Sequence, residues 1–231
     1  MNRPYTFINV AATADGKIDT FERKGSAISS KLDKERVDQL RADADAILVG
    51  GKTLLIELPK LTVKSETLRE GRIKRGMSPN PIKVGVVTNA DIPIESDFIQ
   101  AGSARVVIFT TSQTSISHLE TLRTNVVEVF VDDAPRVDLK KMMETLSEIG
   151  VKRLMVEGGG TINFELLKLG LVDELMIYIA PMIFGGDHAP TLASGLGLAR
   201  SDAIALKLTT AETHEEGGIL LKYKLQGTHE A

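Results

Sequence analysis

The sequence predicts an α/β protein whose mixed, mostly parallel sheet is finished by a C-terminal antiparallel hairpin. Three observations carry that expectation. Short continuous apolar runs such as Ala46-Ile47-Leu48-Val49 recur along the chain, the pattern of strands covered by helices on both faces. Segments with apolar residues at helical spacing separate those runs. Near the C-terminus the period changes: Ile219, Leu221, Tyr223 and Leu225 alternate with Leu220, Lys222 and Lys224, as in a sheet-edge pair. At 231 residues the chain can bury a sizeable core, and a single domain over residues 1–231 is expected.

Taken in order, Tyr5 to Val10 forms a first strand that runs into Ala12-Thr13-Ala14-Asp15-Gly16-Lys17. Ser30, with Asp33 three residues on, opens a helix whose apolar positions are Leu32, Val37, Leu40 and Ala44. The strand 46–49 ends at Gly50-Gly51, after which Thr53 can cap a short helix. From Leu58 to Pro81 the chain is polar and basic, punctuated by Pro59, Pro79 and Pro81, and reads as irregular. Such a stretch is either a functional loop or a solvated excursion. Strands follow at Ile82–Val87, Arg105–Phe109 and Val126–Val131. Leu139, Met142, Met143, Leu146 and Ile149 then mark one helical face, with Gly150 as the residue just past its end and the methionines as core. The strand Arg153–Val156 meets Glu157-Gly158-Gly159-Gly160-Thr161, and a helix runs from about Ile162 to Leu169. Leu175–Ala180 is a strand stopped by Pro181, a glycine-rich loop fills Phe184–Gly197, and Ala203–Thr209 and Gly218–Leu225 form the terminal pair.

Composition narrows the function. A formal net charge of −3 and the absence of a basic face argue against general nucleic-acid binding, and the lack of tryptophan argues against a base-stacking surface. With no cysteine there are no disulfides or thiolate zinc sites, and the four histidines have no ligand spacing, so no metal is expected. No 18-residue apolar run or signal-peptide pattern is present, so a soluble cytoplasmic protein that does not engage membranes is expected.

The glycine run at 158–160 is the strongest chemical signal. Glycine in succession is entropically costly, so a run at a strand-to-helix junction means close approach to the main chain or a positive φ. Amides at a helix N-terminus attract phosphate, which points to a nucleotide diphosphate; the alternative is a tight connection. Gly50-Gly51-Lys52-Thr53 repeats the junction, and two of them suit a dinucleotide. Asp15-Gly16-Lys17 follows the first strand, where α/β sheets place ligands, yet the same tripeptide makes an ordinary Asp-Gly turn with a solvated lysine. Glu157 closes a buried strand beside an anion-binding loop and calls for a raised pKa or a cationic partner, for which Lys17 is the candidate.

In order along the chain stand Asp15-Gly16-Lys17, Ser26-x-Ile28-Ser29, Leu40-Arg41-Ala42, Gly51-x-Thr53, Pro59-x-Leu61-Thr62-Val63, Glu157-Gly158-Gly159-Gly160-Thr161 and Tyr178-x-Ala180-Pro181-x-Ile183-Phe184-Gly185-Gly186. Together, from about Pro4 to Leu225, they resemble the pyrimidine reductases of riboflavin biosynthesis, both the stand-alone enzymes and the reductase half of the bifunctional deaminase-reductase. The resemblance implies a three-layer dihydrofolate-reductase-like fold, a homodimer, and NADPH or NADH as cofactor. It implies hydride delivery to C1′ of the ribosyl group of 2,5-diamino-6-ribosylamino-4(3H)-pyrimidinone 5′-phosphate, a small phosphorylated pyrimidine. The rival readings are a same-fold reductase of another pterin or pyrimidine, and a non-catalytic nucleotide-binding module.

By the same resemblance, Ala12, Thr53, Glu57, Gly158, Gly159, Gly160 and Thr161 contact the cofactor, with Thr88 and Asn89 near its 2′-phosphate. Ser26, Arg41, Leu61, Lys64 and Glu157 hold the substrate, the two cations facing its phosphate, while Asp15 and Lys17 line the reacting centre beside Glu157. Glu57 is one methylene longer than the aspartate usual in the family, and Ala27 and Lys60 stand where arginines are common. The deaminase half's zinc-binding motifs have no counterpart, so no deaminase activity is expected.

Overall fold

The structure is a computed structural model describing residues 2–25 and 27–226; Ser26 lies outside the described residues. In chain order the elements are β1 (Tyr5–Thr13), α1 (Lys31–Asp43), β2 (Ala46–Gly50), α2 (Gly51–Glu57), α3 (Glu66–Lys74), β3 (Ile82–Val86), α4 (Asp97–Gln100), β4 (Val106–Thr111), α5 (Ile116–Thr124), β5 (Glu128–Asp132), α6 (Leu139–Glu148), β6 (Arg153–Gly158), α7 (Gly160–Lys168), β7 (Glu174–Ala180), β8 (Leu206–Thr213) and β9 (Ile219–Leu225). A short 3-10 turn at Arg200–Asp202 precedes β8. The strands form a mixed, mostly parallel sheet that ends in an antiparallel hairpin, as expected.

The chain divides into two compact units, one made of the residues up to Pro4 with Asp38–Met155, the other of Tyr5–Val37 with the chain from Val156 onward. In the first, β2, β3, β4 and β5 lie side by side, all parallel. β2 and β4 are buried throughout, which is why their sequences are continuous apolar runs rather than alternating ones. Leu54 of α2 packs on β3 at Gly85, where a β-carbon would clash with it. Met142, Met143 and Leu146 bury one face of α6, Asp138 caps that helix by accepting from the amides of Lys140 and Lys141, and Gly150 follows it at φ 95°.

In the second unit β1 pairs in parallel with β7, β7 antiparallel with β9, and β9 with β8, which is exposed nearly throughout. Burial in β9 does not follow the alternation: Leu221, Lys222, Tyr223 and Leu225 are all half-buried. Leu220 faces Tyr178 and is buried, whereas Ile219 is exposed. Of the apolar positions expected to face inward from α1, Ala44 just past its end is buried and Val37 and Leu40 are half-buried, but Leu32 is exposed; the buried Asp33 accepts from Arg36, which also reaches Asn9 of β1.

The stretch 58–81 is not irregular throughout. It contains α3, capped at Ser65 and missed by the periodicity because its buried residue is an arginine. Arg72 donates to Ser78 O at 2.8 Å, Ala42 O at 2.9 Å and Ala44 O at 2.7 Å, so it satisfies carbonyls left without partners at the end of α1. Lys83 of β3 does the same for α4, donating to Phe98 O at 2.9 Å and Ala101 O at 2.5 Å. The short α4 and α5 also went unanticipated, and Thr53 lies inside α2, whose N-cap is Gly50.

Burial pulls the Lys83 ammonium down from its ordinary value of 10.5 to about 8, with nearby Asp97 opposing the shift. Between pH 8 and 10.5 the unfolded chain therefore binds a proton that the folded chain does not, so this residue's contribution to stability rises with pH across that window, by at most about 3 kcal/mol. Urea unfolding of the wild type and of Lys83→Met should show the wild type gaining on the variant as pH rises from 8 to 10; a constant difference would refute the shift.

Candidate active site

In the second unit the end of β1 is a closed turn. Gly16 N donates to Thr13 O and Thr13 N to Lys17 O, both at 2.8 Å, and Gly16 takes φ 78°. The Asp-Gly turn reading is thus correct as geometry, but Asp15 is not a solvated bystander. Its carboxylate accepts from Thr13 Oγ1 at 2.5 Å, from Phe184 N at 3.3 Å and from Gly185 N at 2.8 Å. The Thr13 hydroxyl, aided by those two amides, holds the Asp15 carboxyl below its usual value of 3.8. Ala12, one residue before the turn, is buried, and Lys17 pairs with Thr191 through an isolated bridge. Among the described residues no ion pair joins Lys17 to Glu157.

The glycine-rich segment after Pro181 connects this turn to the other predicted loop. Asp15 holds it at Phe184 and Gly185, Ile18 N donates to Pro190 O at 2.9 Å, and Ser194 N donates to Gly160 O at 2.9 Å. Asn163 Nδ2 donates to Leu192 O at 2.9 Å. A β-carbon at Gly160 would collide with Thr191 O and lie 2.6 Å from Ser194 Oγ, and one at Gly195 would lie 2.6 Å from the Phe164 ring. Residues 184–195 are therefore a strap fastened to β1 at one end and to the first turn of α7 at the other.

Two of the three glycines thus have reasons within the chain: Gly158 has φ 103°, and Gly160 gives way to the strap. What remains for a ligand is the start of α7. Its N-cap, Gly159, has no side chain to cap it, and Thr161 in the first turn is exposed. Beside Gly158 the buried Asn163 Oδ1 has no hydrogen-bond partner among the described residues. An uncapped helix start next to an orphaned buried acceptor fits the diphosphate and adjoining hydroxyls of a nicotinamide dinucleotide. Glu157 is half-buried at the end of β6.

In the first unit, Arg41, Leu61 and Lys64 come together. Arg41, in the last turn of α1, donates to Thr62 O at 3.1 Å. Asp38, one turn earlier and buried, accepts from Lys64 N at 2.7 Å and Ser65 N at 2.8 Å, and Arg69 donates to Val63 O and Lys64 O. Residues 62–65 are consequently rigid without regular structure, and three cations (Arg41, Lys64 and Arg69) gather around them. Leu61 is 1% exposed, so it can meet a substrate only through its main chain. Thr53 and Glu57 lie on α2, and Thr88 and Asn89 are exposed just beyond β3. The sequence reading missed Asp38, Arg69, Asn163 and the strap. A polar residue on the inner face of a helix was the available signal for Asp38 and Asn163; nothing local marks the strap.

The RibD C-terminal domain family profile matches residues 4–220. The chain belongs to that family. The 2,5-diamino-6-ribosylamino-4(3H)-pyrimidinone 5′-phosphate reductase of Archaeoglobus fulgidus is 44% identical over 195 residues, 84% of this chain and 87% of that one. The protein of the same name from Methanothermobacter thermautotrophicus is 38% identical over 226 residues, covering 97% of this chain and 100% of its own length. Among solved structures, a pyrimidine reductase-like protein from Corynebacterium diphtheriae superposes with a TM-score of 0.80 at 24% identity, covering 97% of this chain and 92% of that one. Dihydrofolate reductase from Enterococcus faecalis matches with a TM-score of 0.50 at 12% identity, over 96% of this chain and 97% of that one. The RibD-type chain therefore has the dihydrofolate-reductase-like fold that its motifs implied.

Because the Asp15 carboxyl is held below 3.8, its grip on the strap is fully present above that pH and is lost only as pH falls through the lowered value. In hydrogen exchange the Phe184 and Gly185 amides should keep constant protection factors from pH 8 to pH 5 in the wild type. Asp15→Asn should lower them at every pH, and unaltered protection would show that the carboxylate is not the anchor.

Proposed function

We propose that this protein is an NAD(P)H-dependent reductase that converts 2,5-diamino-6-ribosylamino-4(3H)-pyrimidinone 5′-phosphate to its ribityl form in riboflavin biosynthesis. The observation that carries the reading is the near full-length likeness to stand-alone reductases of that name, over 97% of this chain in one case. Bound coenzyme would supply hydride to C1′ of the opened ribosyl group.

The residues of each unit support definite roles. In the first, Arg41 and Lys64 hold the substrate phosphate, with Asp38 and Arg69 fixing the main chain that bears Lys64. Leu61 offers its main chain, Thr53 and Glu57 face the coenzyme from α2, and Thr88 and Asn89 meet its adenosine ribose. In the second, Gly158, Gly159, Gly160 and Thr161 hold the diphosphate, Ala12 lies against the coenzyme, and Ser26 contacts substrate. Asp15, kept as a carboxylate by Thr13 and two amides, is a poor proton donor and serves to position the strap. Lys17 and Glu157 are left to serve the substrate nitrogen that gains a proton as C1′ is reduced. Placement of aligned reactants supplies the larger part of the acceleration, up to roughly 7–11 kcal/mol.

The protein acts in the cytoplasm as a homodimer, a reading supported by the lack of cysteine, by the absence among the described helices of one able to cross a membrane, and by the exposed outer strand β8 with Leu206 and Leu208. Sedimentation equilibrium should give twice the chain mass; a monomer at micromolar concentration would refute the dimer.

Incubation of purified protein with NADPH or NADH and the ribosylaminopyrimidine phosphate should oxidise the coenzyme and yield the ribityl product; turnover of a dihydropterin in its place would overturn the reading. Arg41→Ala should raise KM for the phosphorylated substrate with little effect on a dephosphorylated one. Glu157→Gln should cut kcat at least tenfold, about 1.4 kcal/mol, with coenzyme affinity unchanged. Equal losses on both substrates would remove the phosphate role, and normal turnover would remove Glu157 from the chemistry.

A further inference from the structure

Beyond β3 the chain makes an exposed step at Thr88-Asn89 and re-enters the core at Ala90, which is fully buried. Three buried threonines from β4 and the turn after it hold this step. Thr88 O accepts three donors: Thr111 Oγ1 at 2.8 Å, Thr110 Oγ1 at 3.2 Å and Thr111 N at 3.3 Å. Ala90 N donates to Thr114 Oγ1 at 2.9 Å, and the Thr114 and Thr110 hydroxyls are 2.7 Å apart. The hydrogens allow one direction only. Thr110 donates to Thr88 O, so Thr114 donates to Thr110 and accepts from Ala90. Thr110, Thr111 and Thr114 are 0%, 0% and 3% exposed.

The carbonyl of Thr88 belongs to the peptide plane before Asn89, and the amide of Ala90 to the plane after it. With both planes pinned, φ and ψ of Asn89 are fixed, and the direction of its Cα–Cβ bond is set by side chains more than twenty residues away. A solvated two-residue step needs no such arrangement: a polar exposed turn is ordinarily stabilised by its own residues and water. The buried hydroxyls thus hold the backbone from which two short neutral donors project into solvent, the Thr88 hydroxyl and the Asn89 amide.

We propose that the Thr110-Thr111-Thr114 hydroxyl cluster is a positioning device that presets Thr88 and Asn89 to discriminate at the ribose 2′ position of the coenzyme, favouring the 2′-phosphate. The inference rests on the coenzyme-dependent reductase reading. Hydroxyl and amide hydrogens donate to phosphate oxygens, and fixed donors lose less conformational freedom on binding than mobile ones. No arginine is required of the step. The selectivity comes from neutral donors held still, and loosening them weakens the phosphorylated dinucleotide selectively.

Calorimetric titration of NADP+ and NAD+ into wild type, Thr111→Val and Thr111→Ser tests this without turnover. Thr111→Val should raise the Kd for NADP+ at least fivefold and that for NAD+ less than twofold, and Thr111→Ser, which keeps the donor, should stay within twofold of wild type for both. Equal weakening of the two dinucleotides, no weakening, or a serine variant that behaves like valine would overturn the proposal. Should Thr111→Val fail to fold, Asn89→Ala, altered only at an exposed side chain, must show the same selective loss, and the Ala90 amide must be protected in hydrogen exchange. A non-selective Asn89→Ala or a rapidly exchanging Ala90 would sink the idea equally. A wild type that binds neither dinucleotide would overturn the functional reading first, before any substitution is compared.

Discussion

The second unit depends on the fastening of residues 184–195 across two elements that are remote in sequence. At one end the carboxylate of Asp15 takes two main-chain amides from the segment; at the other, Gly160 lacks the β-carbon that Thr191 would not tolerate. The amide-to-carboxylate contact is charge-assisted and the glycine contact is steric, so the two ends are fixed by unrelated physics. Every expected functional residue of this unit that the structure describes, from Ala12 to Thr161, lies on the elements so joined or directly beside them.

The first unit solves a related problem with long cations. Arg72 and Lys83 bring charge inside to terminate helices α1 and α4, where a glycine cap or water would ordinarily serve. Burying an unpaired cation is costly, and carbonyl oxygens left without partners at a helix end offset that cost. Arg72 also reaches Arg41 O, while Asp38 and Arg69 hold the 62–65 segment beside it, so the side chains proposed to face a phosphate stand on an inflexible base.

What could be read from the sequence follows from what a one-dimensional pattern encodes. The parallel strands were legible because burial on both faces leaves a continuous apolar run, as in Ala46–Gly50. In α1 and β9 the elements were legible but single positions were not: Leu32 and Ile219 are exposed, whereas Asp33, which Arg36 meets, and Leu220, opposite Tyr178, are buried. α3 was illegible because its inward residue is Arg72, which composition places in solvent. At the site, the glycine run was correctly taken as a place of close approach. Yet it is the protein's own chain that approaches Gly160, from thirty residues away, and Asp15 meets amides some 170 residues distant. Nothing in a local window signals either contact.

The step at Thr88-Asn89 separates aim from touch. The groups that hold its backbone are a carbonyl and an amide common to almost every amino acid on one side, and hydroxyls at positions 110, 111 and 114 on the other. Side chains at 88 and 89 can therefore be exchanged while the turn keeps its shape, and what the turn presents to solvent can change by one or two substitutions without repacking the interior.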